Sequence, residues 1–177
     1  MEEAYAGDII GVFDPGIFRI GDTLCASPKK FKFEGIPVFA PEHFARVKTI
    51  DTMKRKQFIK GITEISQEGA IQVFKELNIG IEEIIVGVVG VLQFEVLEYR
   101  MKHEYNVDVK IDRLSYKHIR WIEDFDGEVD NLVTTSDTKL VKDLRDRDIL
   151  IFQSEWAISW ALEHNKGLML SDVGKSE

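Results

Sequence analysis

Cysteine is almost missing from this sequence. Cys25 stands alone, which excludes an internal disulfide and suits a reducing compartment, so a cytoplasmic protein is expected. Its surroundings carry no nucleophile signature, and a buried or edge position is expected for it. Long apolar runs are missing too. The longest, Ile84 to Leu92, is interrupted by Gly87 and Gly90 and falls far short of the ~20 residues a membrane-spanning helix needs. No basic start followed by an apolar stretch opens the chain, so no secretory signal is read there. Positive charge is in deficit, with 23 Lys and Arg against 31 Asp and Glu and a net charge of −8. A chain of that sign is repelled at long range by phosphate backbones. DNA is therefore not an expected partner, and any RNA contact must come from a local basic patch or from other domains.

What is present is ordinary globular composition: 177 residues, 44% hydrophobic and 31% charged, enough for one domain or for one domain plus a piece of another. Residues 1–36 alternate β-prone runs with turns. Asp8–Phe13, Phe18–Leu24 and Phe31–Phe33 read as strands, separated by turns at Asp14-Pro15-Gly16 and Pro28-Lys29-Lys30. Three short strands cannot close a barrel. They read as the last strands of a β-barrel and a linker, only marginally stable by themselves. Gly35-Ile36-Pro37 and Ala40-Pro41-Glu42 break the pattern, and residues 37–177 read as a second domain.

Within that domain, residues 43–112 show a β-α-β-β-α-β order. His43–Ile50 is a strand. Asp51 or Thr52 caps a helix from Met53 to Glu68, whose Phe58, Ile59, Ile62 and Ile65 fall on one stripe. Ala70–Phe74 and Ile81–Val89 are strands joined through a turn at Asn78-Ile79-Gly80. A helix from Val91 to Glu104 offers Leu92, Val96, Leu97, Tyr99 and Met101 to a sheet, and Val107–Ile111 closes the unit. The fold class is α+β, a ferredoxin-like split βαβ unit with both helices on one face of an antiparallel sheet. Residues 113–177 form a small α/β extension: a strand at His118–Ile122, an acidic loop at Glu123–Asp130, and a short helix around Leu140, Val141 and Leu144. A strand at Ile149–Phe152 follows, then a helix capped by Ser154 and ended by Gly167, and a last strand at Leu168–Leu170.

Chemical motifs fail on inspection. A P-loop needs a glycine five residues before its Gly-Lys-Ser, but Met169 stands there before Gly174-Lys175-Ser176, and no helix can follow. Asn165-Lys166-Gly167 begins like a guanine-recognition motif, but Leu168 occupies the aspartate position. Asp124, Asp126 and Gly127 resemble a calcium loop whose outer ligand positions are Ile122 and Val133, which cannot coordinate. His43, His103, His118 and His164 show no metal-ligand spacing. No catalytic residue, metal or cofactor is therefore assigned to this chain. One compact basic patch remains: Lys54, Arg55 and Lys56, with Lys60 one turn on. It is either a solvated helix face or an RNA contact. Trp156 and Trp160, one turn apart, suit a core position better than base stacking.

Several blocks carry a resemblance. Ala4–Val12 and Phe18–Leu24 resemble barrel strands, and Phe33–Val47 resembles a segment that joins second and third domains. Stronger are Lys54-Arg55-Lys56-Gln57-Phe58-Ile59-Lys60-Gly61, Ile65–Phe74, Ile85–Val96 and His103-Glu104-Tyr105-Asn106-Val107. In order and spacing these resemble the C-terminal part of the peptide chain release factor 3 family of translational GTPases. The resemblance implies a bacterial protein whose G domain, holding GTP and magnesium, lies outside this chain. It further implies a ribosome partner, chiefly the small subunit, and an indirect relation to the codon-reading release factors. Lys54, Arg55, Lys56 and Lys60 are the positions on which a docking role falls. Two alternatives stay open. One is a domain of another elongation-factor-G-like GTPase. The other is a ferredoxin-like small-molecule sensor, for which Gly87 and Gly90 are the available ligand-loop glycines.

Overall fold

Side chains alternate between two buried faces along the first strand, β1 (His43–Thr49): Ala45 and Val47 turn to one face and Phe44 to the other, with the period of two that a strand imposes. The computed structural model describes residues 3–13, 17–18, 21–26, 31, 33, 39–76 and 83–172. Strands β2 (Gln72–Glu76), β3 (Glu83–Val88) and β4 (Val109–Leu114) join β1 in the antiparallel order β4-β1-β3-β2. Helix α1 (Arg55–Gln67) links β1 to β2, and α2 (Leu92–His103) links β3 to β4. This is the expected split βαβ arrangement. Phe58, Ile62 and Ile65 of α1 pack with Val73, Val86 and Val88 on one sheet face. The turn expected at Asn78-Ile79-Gly80 lies outside the described residues.

The two helices approach each other closely at Gly61. A Cβ there would lie 2.8 Å from the Met101 Sδ and 2.8 Å from the Tyr105 ring, so any larger residue pushes α1 away from α2. The apolar face of α2 differs from the one read in the sequence. Phe94, Leu97 and Met101 are its buried residues, while Leu92, Val96 and Tyr99 are exposed by 67%, 53% and 63%. Gln93 accounts for the rotation. Its side-chain oxygen accepts from the Val89 and Gly90 N–H groups at 3.0 and 2.9 Å, and its amide donates to the Ala70 carbonyl at 2.8 Å. With the first turn held there, Phe94 points inward and Leu92 cannot.

The extension is a continuation of the same sheet. Strands β5 (His118–Asp124), β6 (Thr138–Asp143), β7 (Asp148–Phe152) and β8 (Met169–Ser171) add to it, because β6 pairs antiparallel with β2 from Phe74↔Asp143 to Glu76↔Val141. The eight-stranded order is β4-β1-β3-β2-β6-β7-β5-β8. Residues 140–144, expected as a short helix, are strand and turn. Leu140 faces one layer and Val141 the other, so both faces of β6 are covered and the apolar spacing mimics a helix. Asp143 then closes the β6–β7 turn, accepting from the Arg145 and Arg147 N–H groups at 2.8 and 3.0 Å. The acidic run from Glu123 is also split: Glu123 and Asp124 belong to β5, and Val129–Asn131 forms a 3-10 turn.

The long sheet folds over itself. Phe44, Phe74 and Ile85, on the face away from α1 and α2, pack with Ile119, Trp121, Val141, Ile149 and Ile151 of the extension. On the far side, Leu150 and Phe152 pack with Ala157 and Ala161 of α3 (Glu155–His164). The layers run helix, sheet, sheet, helix. Ser154 caps α3 as expected, its Oγ accepting from the Ala157 N–H at 3.3 Å. The two tryptophans of α3 do not enter the core: Trp156 is 61% exposed, and Trp160 stacks on His164 at 3.9 Å. Small alanines take the inward positions because Leu150 and Phe152 already fill that space.

Charge also joins the two sheet halves. The Glu76 side chain, only 8% exposed, bonds Arg46 Nη2 of β1 at 2.5 Å and Lys139 Nζ of β6 at 3.1 Å. Burial raises the affinity of this carboxylate for a proton, but the bonds from Arg46 and Lys139 outweigh it and hold its pKa below the ordinary range.

The chain divides into two compact units, residues 1–36 and 37–177. In the first, the described residues form no strand, contrary to the sequence reading of Asp8–Phe13 and Phe18–Leu24. A strand needs a hydrogen-bonded neighbour, and Ile9, Val12 and Phe13 are exposed instead. Part of the Phe18–Leu24 and Phe31–Phe33 segments, and both turns between the strands, lie outside the described residues. Local contacts remain: Asp8 caps a turn at Tyr5 N–H at 2.8 Å, the Phe33 N–H donates to Thr23 Oγ1 at 3.2 Å, and Phe31 and Phe33 meet edge to face at 4.7 Å. Cys25, expected at a buried or edge position, is exposed.

Candidate nucleic-acid interface

The four basic residues singled out in the sequence occupy the start of α1. Asp51 Oδ1 accepts from the Met53 N–H at 2.9 Å and caps a 3-10 turn, Thr52–Lys54, that leads into the helix. The helix itself has no acidic residue in its first turn. Arg55 and Lys56 are exposed there. Cations at this end oppose the helix dipole and cost about 0.3–1 kcal/mol each at the surface. Local helix stability therefore does not explain them.

The four do not act alike. Lys54 reaches across to the Asn106 carbonyl, donating at 2.6 Å; Asn106 itself has φ +55°, so Lys54 steadies a left-handed turn before β4. Lys60 lies 3.8 Å from Glu64 on its own helix, and Glu64 also accepts from the Tyr105 hydroxyl at 2.8 Å. Burial first, and then that bond to Glu64, push the Tyr105 pKa up to about 12. The structure thus gives Lys54 a structural bond and Lys60 an ion pair, while Lys56 points its charge at solvent.

A second basic surface lies where the β4–β5 connection passes the start of β1. There an open groove of about 620 Å³ is lined by Arg113, Lys117, His43 and His118, together with Glu42, Phe44, Val91, Ser115 and Tyr116. Sequence reasoning missed it because its residues come from separate segments and make no local run. The only sequence trace is the stretch from Arg113 to His118, in which Leu114, Ser115 and Tyr116 separate Arg113 from Lys117 and His118.

Other sequence candidates resolve locally. Asn165 is buried; its amide holds the Val133 backbone by two bonds, Val133 N–H to Oδ1 and Nδ2 to the Val133 carbonyl, each 2.8 Å. Gly87 has Phe74 and Pro41 within 2.9 Å of where a Cβ would sit, which leaves no room for a ligand against it. Gly174-Lys175-Ser176 lies outside the described residues. Among the described residues no three His, Cys, Asp or Glu side chains converge on a possible metal site, and no helix is long and apolar enough to cross a membrane.

The chain is thus an α+β domain with a split βαβ core and a sheet extended by a second β layer. Residues 33–162 match the family described as class II release factor RF3, C-terminal domain, and the chain belongs to that family. It is similar to peptide chain release factor 3 of Symbiobacterium thermophilum, 53% identical over 169 residues, covering 96% of this chain and 32% of the relative. The protein of the same name from Staphylococcus saprophyticus is 46% identical over 160 residues, covering 90% and 30%, and that of Listeria welshimeri is 42% identical over 173 residues, covering 98% and 32%. The chain spans about a third of the length of these curated relatives.

Proposed function

We propose that this chain is the ribosome-docking C-terminal region of a bacterial, cytoplasmic translation-termination GTPase that promotes release and recycling of the codon-reading release factors. The observation that carries the reading is the family match over residues 33–162. GTP and magnesium belong, on this reading, to a G domain in the remainder of the longer protein, and the chain supplies no catalysis of its own. Its role is to hold orientation on the small subunit. The α1 cations serve this as phosphate contacts, which position a protein without reading sequence. Their placement against the helix dipole supports that use.

Two measurements test the proposal. Calorimetry of the chain with GTP and GDP in magnesium buffer should be silent, and micromolar affinity for either would refute the assignment. Sedimentation with small ribosomal subunits should show salt-sensitive binding, with a log–log slope of about −2 to −4 if three or four phosphates are neutralised. Lys54 is a poor target because of its bond to Asn106. The reversal Lys56→Glu with Lys60→Glu should weaken sedimentation while leaving the thermal midpoint within a few degrees. Binding unaffected by that pair at 150 mM salt would make the stripe a solvated helix face.

A further inference from the structure

Several cations among the described residues are paired with carboxylates within the fold. Lys75 pairs with Asp146, Lys102 with Asp108, Lys110 with Asp112, Lys142 with Asp148, and Arg100 bridges Glu68 and Glu104. The groove between the start of β1 and the β4–β5 connection departs from this pattern. Arg113 and Lys117 line it side by side in sequence space, four residues apart, and neither makes an ion pair with a carboxylate among the described residues. His43 and His118 add imidazole N–H groups from the first residues of β1 and β5.

Arg113 is held in place. Its guanidinium lies 3.7 Å above the Phe94 ring centroid, and Nη2 donates to the Val91 carbonyl at 3.4 Å. That uses one of five donors and restrains the plane of the fork, which leaves N–H groups available to an anion in the groove that Arg113 lines. The Phe94 ring keeps water from one face of the Arg113 guanidinium and strengthens its attraction for an anion. Phe44, 1% exposed, and the half-buried Tyr116 also line the groove, and Glu42 is its one carboxylate.

From this geometry we infer that the groove at residues 42–44 and 113–118 binds the phosphodiester backbone of RNA. Phosphate is the anion that a planar guanidinium, an ammonium and two imidazoles share best. The groove is open rather than enclosed, which suits a strand lying in it better than a sequestered metabolite. The inference rests on the ribosome-docking reading above and names a contact surface separate from the α1 stripe.

The test uses the whole 177-residue chain and a fluorescently labelled RNA hairpin, followed by anisotropy from 20 to 200 mM salt. The variant is Arg113→Gln with Lys117→Gln, which removes two charges and keeps side-chain length. Arg145→Gln with Lys166→Gln, two exposed cations outside the groove, controls for net charge, and Lys117→Gln alone serves if loss of the Arg113–Phe94 contact impairs folding by circular dichroism. The double variant should bind the hairpin about tenfold more weakly than the parent, with a salt slope shallower by roughly 1.5 to 2, while the control changes neither. Displacement of the hairpin by adenosine monophosphate or inorganic phosphate at low millimolar concentration would overturn the polymer assignment in favour of a free phosphate site. Equal affinity and slope for parent and groove variants, or no hairpin binding by the parent at 20 mM salt, would overturn the inference. Ribosome sedimentation run alongside separates the two claims: a groove variant that sediments like the parent refutes the groove but leaves docking intact, whereas a parent that does not sediment refutes the docking reading.

Discussion

Replacing Glu76 by Gln should loosen the join between the ferredoxin-like unit and the strands added to it. The substitution is nearly isosteric, so no cavity forms and the effect is electrostatic. Glu76 accepts from Arg46 at 2.5 Å and from Lys139 at 3.1 Å, and bonds to a charged partner contribute about 1.5–3 kcal/mol each. Both cations keep 31% of their side-chain surface exposed, so each regains solvation when the carboxylate is lost and the sum must be discounted heavily. The expected loss is about 2 kcal/mol at pH 7. Its pH dependence follows from the direction of the shift. Buried but outweighed by its two cations, Glu76 has a folded pKa below the ordinary value. Its contribution is therefore fully present above the unfolded glutamate pKa of about 4.3 and is lost as pH falls through the lower folded value. Urea unfolding of parent and variant at pH 7, 4.5 and 3 measures this. The two curves should be well separated at pH 7 and should converge toward pH 3. A separation below about 0.5 kcal/mol at neutral pH, or one that persists unchanged in acid, would show that the triad does not join the layers.

Truncating Phe58, 1% exposed between α1 and the sheet, should cost about 3–5 kcal/mol in the same assay, and a loss under 1 kcal/mol would mean that the helix face does not pack as described. Tyr105 should ionise near pH 12, because burial and its bond to Glu64 both disfavour the phenolate. Its stability contribution is complete below about pH 10 and is lost as pH rises through the folded value. Ultraviolet titration of the phenols should show Glu64→Gln bringing this step down, and no movement would exclude the Glu64 bond as a cause.

The split βαβ order was legible in the sequence because its signals are local. Asp51 announces a helix start, Phe58, Ile62 and Ile65 mark one stripe, and alternation at Ala70–Phe74 and short apolar runs at β1 and β3 assign strands without reference to anything distant. The order of elements then leaves few topologies, and right-handed crossovers place both helices on one face. The family resemblance rested on contiguous blocks, and the match over residues 33–162 covers those from Phe33 onward. The basic run at Lys54, Arg55, Lys56 and Lys60 was equally visible, but its division of labour was not: the bond from Lys54 to Asn106 spans 52 positions.

Only the tertiary structure decided the rest, and each instance has the same physical origin. The face of α2 depends on Gln93 reaching the Ala70 carbonyl, a contact with no sequence period. Residues 138–143 became a strand because β2 offered an open edge and because layers close over both of their faces, which gives a burial pattern that no single-element period describes. Trp156 and Trp160 stayed at the surface because Leu150 and Phe152 had already filled the space that α3 covers. The groove of Arg113, Lys117, His43 and His118 exists because antiparallel pairing sets the end of β4 beside the start of β1. Sequence fixes what each residue can do locally; which residues meet is settled by pairing and by the filling of shared volume, and these are properties of the whole fold.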